Sequence, residues 1–307
     1  MKISMVVPSY NEEQSLPELV QAIKDAVGKT AHEYEIVLVD DGSTDGSFEV
    51  AGRLHRENRG IMRVYRFSRN YGKSAALSVG IEKAAGDVIV TMDADLQDDP
   101  QAIPDMLALL EQGWDVVSGW KKRRRDPITK TIPSRFWNLL TSLISGIRLH
   151  DFNCGFKAYR AEVAKCLEIY GERHRYLPAM AHWDGFRVTE MIVPHHPRKY
   201  GRTKFGAGRF MNGILDMITL LFLHKYLKRP LHLFGLLGVM LGLAGSCVLG
   251  YFGVQWTITR EMHIRPLVLL SLGAVIMGIQ FISIGLIGEM ITHANQRSSY
   301  NIRDRLE

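Results

Sequence analysis

DVIVTMDADLQDDP, residues 87–100, is the stretch on which the reading of this chain turns. From Val88 to Met92 it is apolar and β-branched, with no charge, as a short strand buried on both faces would be. From Asp93 it breaks into carboxylates and an amide, and Pro100 opens an amphipathic pattern over 100–112. A strand that delivers polar side chains into a loop before a helix is half of a strand–helix–strand unit. The same pattern recurs outward. IVLVD (36–40), MRVYRF (62–67), WDVVSG (114–119) and residues 3–7 read as further buried strands, with helical spacing at 14–27, 45–58 and 74–84. Alternating strands and helices predict an α/β domain built on a mostly parallel sheet covered on both faces. Ligands in such sheets lie beyond the carboxyl ends of the strands. In DDGSTD (40–45), Ser43 or Thr44 is expected to cap the following helix.

Two segments near the other end follow different rules. LHLFGLLGVMLGLAGSCVLGYFGVQW (231–256) and PLVLLSLGAVIMGIQFISIGLIG (266–288) carry no Asp, Glu, Lys or Arg. Each exceeds the roughly 20 residues needed to cross a hydrocarbon core, and soluble helices of that length rarely lack a polar face. Glycine and alanine in the first would let helices approach closely, which permits a homo-oligomer. Arg198, Lys199, Arg202, Lys204, Arg209, Lys225, Lys228 and Arg229 precede the pair, and Arg297, Arg303 and Arg305 follow it. The connection holds only Arg260 and Arg265 as basic residues, so both ends of the hairpin are expected on the cytoplasmic side. Residues 208–230 have apolar positions at helical spacing with basic ends, the pattern of a helix lying on a membrane interface. The expected organisation is a catalytic domain over 1–207, that interfacial helix, two spans within 231–290, and a cytoplasmic tail over 291–307.

The 307 residues carry 38 Lys and Arg against 32 Asp and Glu, a net +6, with 46% hydrophobic and 23% charged residues. Disordered and low-complexity classes are excluded. Three widely spaced cysteines exclude a disulfide scaffold and a zinc ribbon. The opening MKISMVVPSYNEE has too short an apolar run for a signal peptide. No nucleic-acid partner is expected.

Chemistry concentrates where the strands end. Asp93 and Asp95 are spaced i, i+2 and followed by Gln97, a set of hard oxygen donors suited to Mg2+ or Mn2+ held jointly with a diphosphate. A cation there neutralises a departing diphosphate. The sequence contains no Walker A motif, and no GxGxxG follows a strand. The basic run KKRRR (121–125), just after a strand end, reads as a solvated loop or as one that gathers a lipid phosphate.

PSYNEE (8–13), DDGSTD (40–45), RNYGKSAAL (69–77) and DADLQDDP (93–100), in that order, resemble the inverting family-2 glycosyltransferases of GT-A fold. DFNCGFKAY (151–159), RYLPAM (175–180) and HHPRKYGRTKFG (195–206), with the two spans, narrow the resemblance to the polyprenyl-phosphate glycosyltransferases, the group of dolichol-phosphate mannose synthase and its bacterial relatives. The resemblance covers essentially the whole chain. It implies a nucleotide pocket lined by Pro8, Tyr10 and Glu12, with Asp40 taking the base or ribose, Asp41 beside it, Lys73 at the diphosphate edge and Ala94 against the ribose. It implies a metal site of Asp93, Asp95 and Gln97, and phosphates of donor or acceptor held by Arg198 and Lys204. Lys121, Lys130 and Ser134 fall where relatives place acceptor-phosphate ligands, two of them Lys where relatives often have Arg. Asp151 is the candidate base, although a lipid phosphate is already an anion at pH 7 and needs little base assistance.

The implied reaction transfers one sugar from a nucleotide diphosphate to undecaprenyl or another polyprenyl phosphate, with inversion. UDP-glucose is the first donor expected, with UDP-N-acetylglucosamine and GDP-mannose behind it. Rival readings are a family-2 enzyme acting on another membrane glycan and a catalytically silent membrane scaffold. A processive synthase is disfavoured by the lack of a Q-x-x-R-W signature. A flippase is disfavoured by two spans without an internal charge.

Overall fold

In the computed structural model the described residues are 1–122, 138–171, 173–200, 219, 226, 229–259 and 266–294. The expectations at Lys130, Ser134 and Lys204, at positions 123–125 of the basic run, and over nearly all of 208–230 lie outside them. The chain divides into two compact units, Met1–Asp216 and Met217–Glu307.

The first unit runs β1 (Lys2–Ser9), α1 (Leu16–Val27), β2 (Glu33–Asp40), α2 (Ser47–Glu57), β3 (Met62–Arg66), α3 (Lys73–Lys83) and β4 (Val88–Thr91). A 3-10 turn (Pro100–Ala102) then leads into α4 (Ile103–Glu111), β5 (Val116–Trp120), β6 (Lys157–Arg160), α5 (Ala161–Cys166), α6 (Leu177–Trp183) and β7 (Val188–Ile192). The sheet order is β3-β2-β1-β4-β6-β5-β7. The pairs β1–β2, β2–β3, β1–β4 and β5–β7 are parallel, and β6 is antiparallel to both neighbours. The GT-A arrangement is therefore present, and the five strands legible in the sequence are all there. β6 and β7 were not legible: KAYR is four residues long, and VTEMI is half-buried on a sheet edge, so neither carries a sustained apolar run.

Strand periodicity explains the two cores. Ile3, Met5 and Val7 of β1 point to one face and meet Leu16, Leu19, Ile23 and Val27 of α1. Val6 points to the other, with Val37 and Ile89, against Leu77 and Ile81 of α3. Each fully buried side chain of this size stabilises the fold by roughly 1.5–3 kcal/mol. α3 lies so close to the sheet that a Cβ on Gly80 would stand 2.4 Å from Val6 Cγ1.

At the end of the sheet where β1 begins, buried Glu35 accepts Ser4 Oγ at 2.6 Å and Ala85 N at 2.7 Å, and pairs with Arg63 at 2.7 Å. This closes a polar cluster remote from the carboxyl ends. One local expectation is corrected at the opposite, carboxyl end of the sheet: Ser43 does not cap α2. Its amide and hydroxyl both bond Asp40, while Asp45 Oδ1 accepts Ser47 N at 3.0 Å in the first turn of α2. An acceptor two residues upstream leaves Ser43 free to tie off the end of β2.

The second unit holds α7 (Pro230–Thr259) and α8 (Pro266–Ala294), which form an antiparallel hairpin. Both are long and apolar enough to cross a membrane. Contact is closest at glycines: a Cβ on Gly238 would meet Gly278 O at 2.5 Å, and one on Gly245 would meet Ser271 O at 2.6 Å. Small residues at those points bring the backbones together, as transmembrane packing favours.

Candidate active site

β1 continues to β2 and β3 on one side, and the chain returns through α3 to place β4 on the other side of β1. The switch point between β1 and β4 opens a crevice at their carboxyl ends. Three loops enter it.

The loop after β1 and the loop after β2 are interlocked. Asn11 N donates to Ser43 Oγ at 2.9 Å, Thr44 N donates to Asn11 Oδ1 at 2.9 Å, and Glu12 N donates to Ser47 Oγ at 2.8 Å. Pro8 is the penultimate residue of β1, paired with Val39, and Tyr10 stands half-buried just beyond the strand. Asp40 is fully buried, its Oδ1 held by Ser43 and its Oδ2 3.3 Å from Arg66 Nε. Asp41 accepts the amides of Tyr71 at 2.7 Å and Gly72 at 2.9 Å, which shapes the entry to α3. Burial pushes its carboxyl up, with those two amides opposing the shift. Both carboxylates thus act on protein groups in this structure.

The third loop carries the acidic motif. Lys73, the first residue of α3, reaches Asp93 Oδ1 at 2.5 Å. Burial would raise the Asp93 carboxyl, but the Lys73 ammonium overrides it and holds the pKa at about 2. Ala94 is buried beside it. Asp95 Oδ1 accepts Gln97 N at 3.2 Å, fixing a turn in which Leu96 takes a positive φ of 59°. Its Oδ2 takes the Arg198 guanidinium at 2.9 Å, and the same guanidinium lies 3.5 Å from Glu12 Oε1. Glu12, Asp93, Asp95, Lys73 and Arg198, drawn from four separate segments, therefore converge at the switch point.

Four further residues lie around these groups. Gly155 abuts Asp93, where a Cβ would lie 2.7 Å from Oδ2. Buried Lys157, in register with Thr91 of β4, donates to the Cys154 carbonyl. Its burial lowers the ammonium pKa to about 8. His174 bonds Ser74 Oγ at 2.8 Å; burial, then the nearby Lys73, hold its ring neutral with a pKa of about 2. Asp98 is buried and pairs with Lys121 at 2.7 Å. The motifs DFNCGFKAY and DADLQDDP marked the neighbourhoods of Gly155, Lys157 and Asp98. RYLPAM begins one residue after His174, but the bond from His174 to Ser74, 100 residues away, was not legible. Asp151 is also buried, in the same loop as Cys154 and Gly155.

Asp93, Asp95 and Gln97 offer only oxygen donors, which suits a small hard cation. No group of three or more His, Cys, Asp or Glu side chains with metal-holding geometry occurs among the described residues. A cation here would draw few ligands from protein and the rest from phosphate and water, which is how Mg2+ is commonly held. The donor chemistry fits on those terms.

Residues 4–168 match the family model for Glycosyl transferase family 2, more than half of the chain. The chain belongs to glycosyl transferase family 2. This transferase is 38% identical over 303 residues to the dodecaprenyl-phosphate galacturonate synthase of Rhizobium johnstonii, covering 97% of this chain and 89% of that one. It is 35% identical over 295 residues to the undecaprenyl-phosphate 4-deoxy-4-formamido-L-arabinose transferase of Pseudomonas savastanoi, covering 94% and 85%. Among solved structures, glucosyl-3-phosphoglycerate synthase from Mycobacterium tuberculosis, in complex with Mn2+, UDP-glucose and phosphoglyceric acid, superposes with a TM-score of 0.56. That match has 19% identity and covers 73% of this chain and 79% of the other, so it speaks to the GT-A fold.

Proposed function

We propose that this transferase moves one sugar from a UDP-linked donor to a polyprenyl phosphate, with inversion, at the cytoplasmic face of a membrane spanned by its hairpin. The observation that carries this reading is the placement of Lys73 on Asp93 and of Arg198 on Asp95, at the switch point. Two cations stand where a nucleotide diphosphate must be neutralised as it leaves. The near full-length likeness to two lipid-phosphate sugar transferases supports the acceptor class.

In this reading an oxygen of the lipid phosphate, already an anion at pH 7, attacks the anomeric carbon. The bond from that carbon to the UDP oxygen breaks on the opposite face, and UDP leaves with the electron pair. Pro8, Tyr10, Glu12, Asp40, Asp41 and Ala94 form and frame the nucleotide pocket. Lys73, Arg198 and Lys204 meet the phosphates, and Lys130 and Ser134 meet the acceptor. Asp151, being buried, orients the loop around Gly155 rather than accepting a proton. Asp93, Asp95 and Gln97 would hold Mg2+ or Mn2+, whose chemistry is to offset charge on the departing diphosphate. The same reading divides the chain into the catalytic domain 1–207, the interfacial segment 208–230, two spans within 231–290, and the tail 291–307.

The names of the relatives turn the choice of sugar away from UDP-glucose and towards an oxidised or pentose-derived sugar, with UDP-galacturonate the first to try. The test is a panel of radiolabelled UDP-galacturonate, UDP-linked 4-deoxy-4-formamido-L-arabinose, UDP-glucose, UDP-N-acetylglucosamine and GDP-mannose with undecaprenyl phosphate and purified full-length protein. Label should pass into the lipid phase with one UDP sugar and not with GDP-mannose. No lipid-phase label with any donor would remove the proposal.

A further inference from the structure

Lys121 opens the basic run that the sequence offers to a lipid phosphate, yet its side chain is only 11% exposed and its ammonium sits 2.7 Å from Asp98 Oδ1, whose side chain is fully buried. Burial works against the charge on Lys121, but Asp98 beside it more than offsets this and holds the amine protonated above its ordinary range. The second carboxylate oxygen of Asp98 has no hydrogen-bond partner among the described residues. Removing the ammonium would therefore leave a buried carboxylate with nothing to offset it.

Asp98 stands where three pieces of the site meet. It closes the acidic motif, three residues after Asp95. Lys121 follows β5 directly. On the third side Asp98 forms an antiparallel bridge with His195, and His196 N donates to Gln97 O at 2.9 Å. The segment from 193 to 198 is thus laid along the motif, after Val193 N has bonded Trp120 O at 3.1 Å. That segment ends in Arg198, which reaches back to Asp95 at 2.9 Å.

We infer that Asp98 and Lys121 are a positioning pair that aligns the Asp93–Gln97 turn with the Arg198 segment, and that Lys121 is not a ligand of the acceptor phosphate. The inference rests on the reaction proposed above. The Asp98 side chain is fully buried and that of Lys121 only 11% exposed, so each is turned to the other rather than to solvent. The pair sets the distance between Asp95 and Arg198, and so the geometry in which the leaving diphosphate is neutralised. Their loss should act on turnover more than on acceptor affinity.

The experiment uses full-length protein in detergent, with wild type, Lys121→Met, Lys121→Arg, Asp98→Asn and the double variant Asp98→Asn/Lys121→Met. It measures kcat, KM for undecaprenyl phosphate and melting temperature for each. Lys121→Met should lower kcat by about thirtyfold or more, with the acceptor KM within about twofold. The double variant removes both charges together and should regain about tenfold over Lys121→Met. Lys121→Arg should also lose turnover, because a guanidinium does not fit the slot filled by the ammonium, whereas an acceptor-phosphate ligand would tolerate Arg. A several-fold rise in acceptor KM for Lys121→Met that persists in the double variant would return Lys121 to the acceptor site. Additive losses without recovery, or loss of folded protein in all four variants, would overturn the pair as a positioning device. Absence of wild-type turnover with every donor would instead count against the proposed reaction.

Discussion

At the level of single residues the site depends on carboxylates whose nearest cations come from far along the chain. Asp95→Asn keeps the shape of the turn, since the side-chain carbonyl can still accept Gln97 N, but removes the charge facing Arg198. Turnover should fall at least a hundredfold, about 2.7 kcal/mol of transition-state stabilisation, with melting temperature nearly unchanged; full activity of this variant, or of wild type in excess chelator, would remove the metal assignment. Lys73→Met tests the other pair. In wild type the Asp93 carboxyl titrates near 2 against an ordinary value of 3.8, so its contribution to stability is complete above that ordinary value and is lost as pH falls through 2. Without the ammonium, burial of Asp93 is opposed only by the more weakly acting Lys121 and His174, and its pKa rises. UDP–Mn2+ affinity of the variant, measured by calorimetry down an acid series, should therefore fail at a higher pH than that of wild type; parallel curves would show that Lys73 does not govern Asp93. Asp93 and Asp95 stand out in the sequence because a strand end followed by hard donors announces itself, whereas Arg198 was implied only by the family resemblance. The pairing of Arg198 with Asp95, 103 residues apart, was not legible, because only the folded chain brings the two together.

At the level of elements, short apolar runs buried on both faces, as in β1, and helical spacing, as in α1, made the first four strand–helix alternations readable. β6 escaped because its identity comes from neighbours: four residues become a strand when β4 and β5 supply hydrogen-bonding partners on both sides. That strand matters to the site, since it carries Lys157 alongside Thr91 of β4. The fit of α3 on the sheet gives a test of packing. Gly80→Ala gains helix propensity, roughly 1 kcal/mol, but its methyl would enter space held by Val6 Cγ1 at 2.4 Å and Val39 Cγ2 at 3.4 Å. Val6 is a stiff side chain on a central strand, so overpacking should win and leave a net loss of about 1–2 kcal/mol by urea titration. An unchanged or raised midpoint would show that α3 can shift away from β1.

At the level of the whole molecule, charge distribution predicts how the hairpin is threaded. A reporter after Glu307 and one in the loop near Arg123 should both be cytoplasmic, and a tag near Met262 should be external; finding the Met262 tag and the C-terminal reporter on one side would exclude two crossings. The sequence by itself determined the alternating α/β domain, the two apolar helices and the acidic motif after β4. Those features rest on local periodicity, on length against bilayer thickness, and on residue chemistry at strand ends. Tertiary structure alone decided that β6 runs antiparallel within the sheet. It also decided that Ser43 turns to Asp40 rather than to α2, that Gly155 makes room for Asp93, and that Lys121 is spent on Asp98. Those outcomes depend on burial and on partners distant in sequence, and a buried charge takes whichever opposite charge the fold puts beside it.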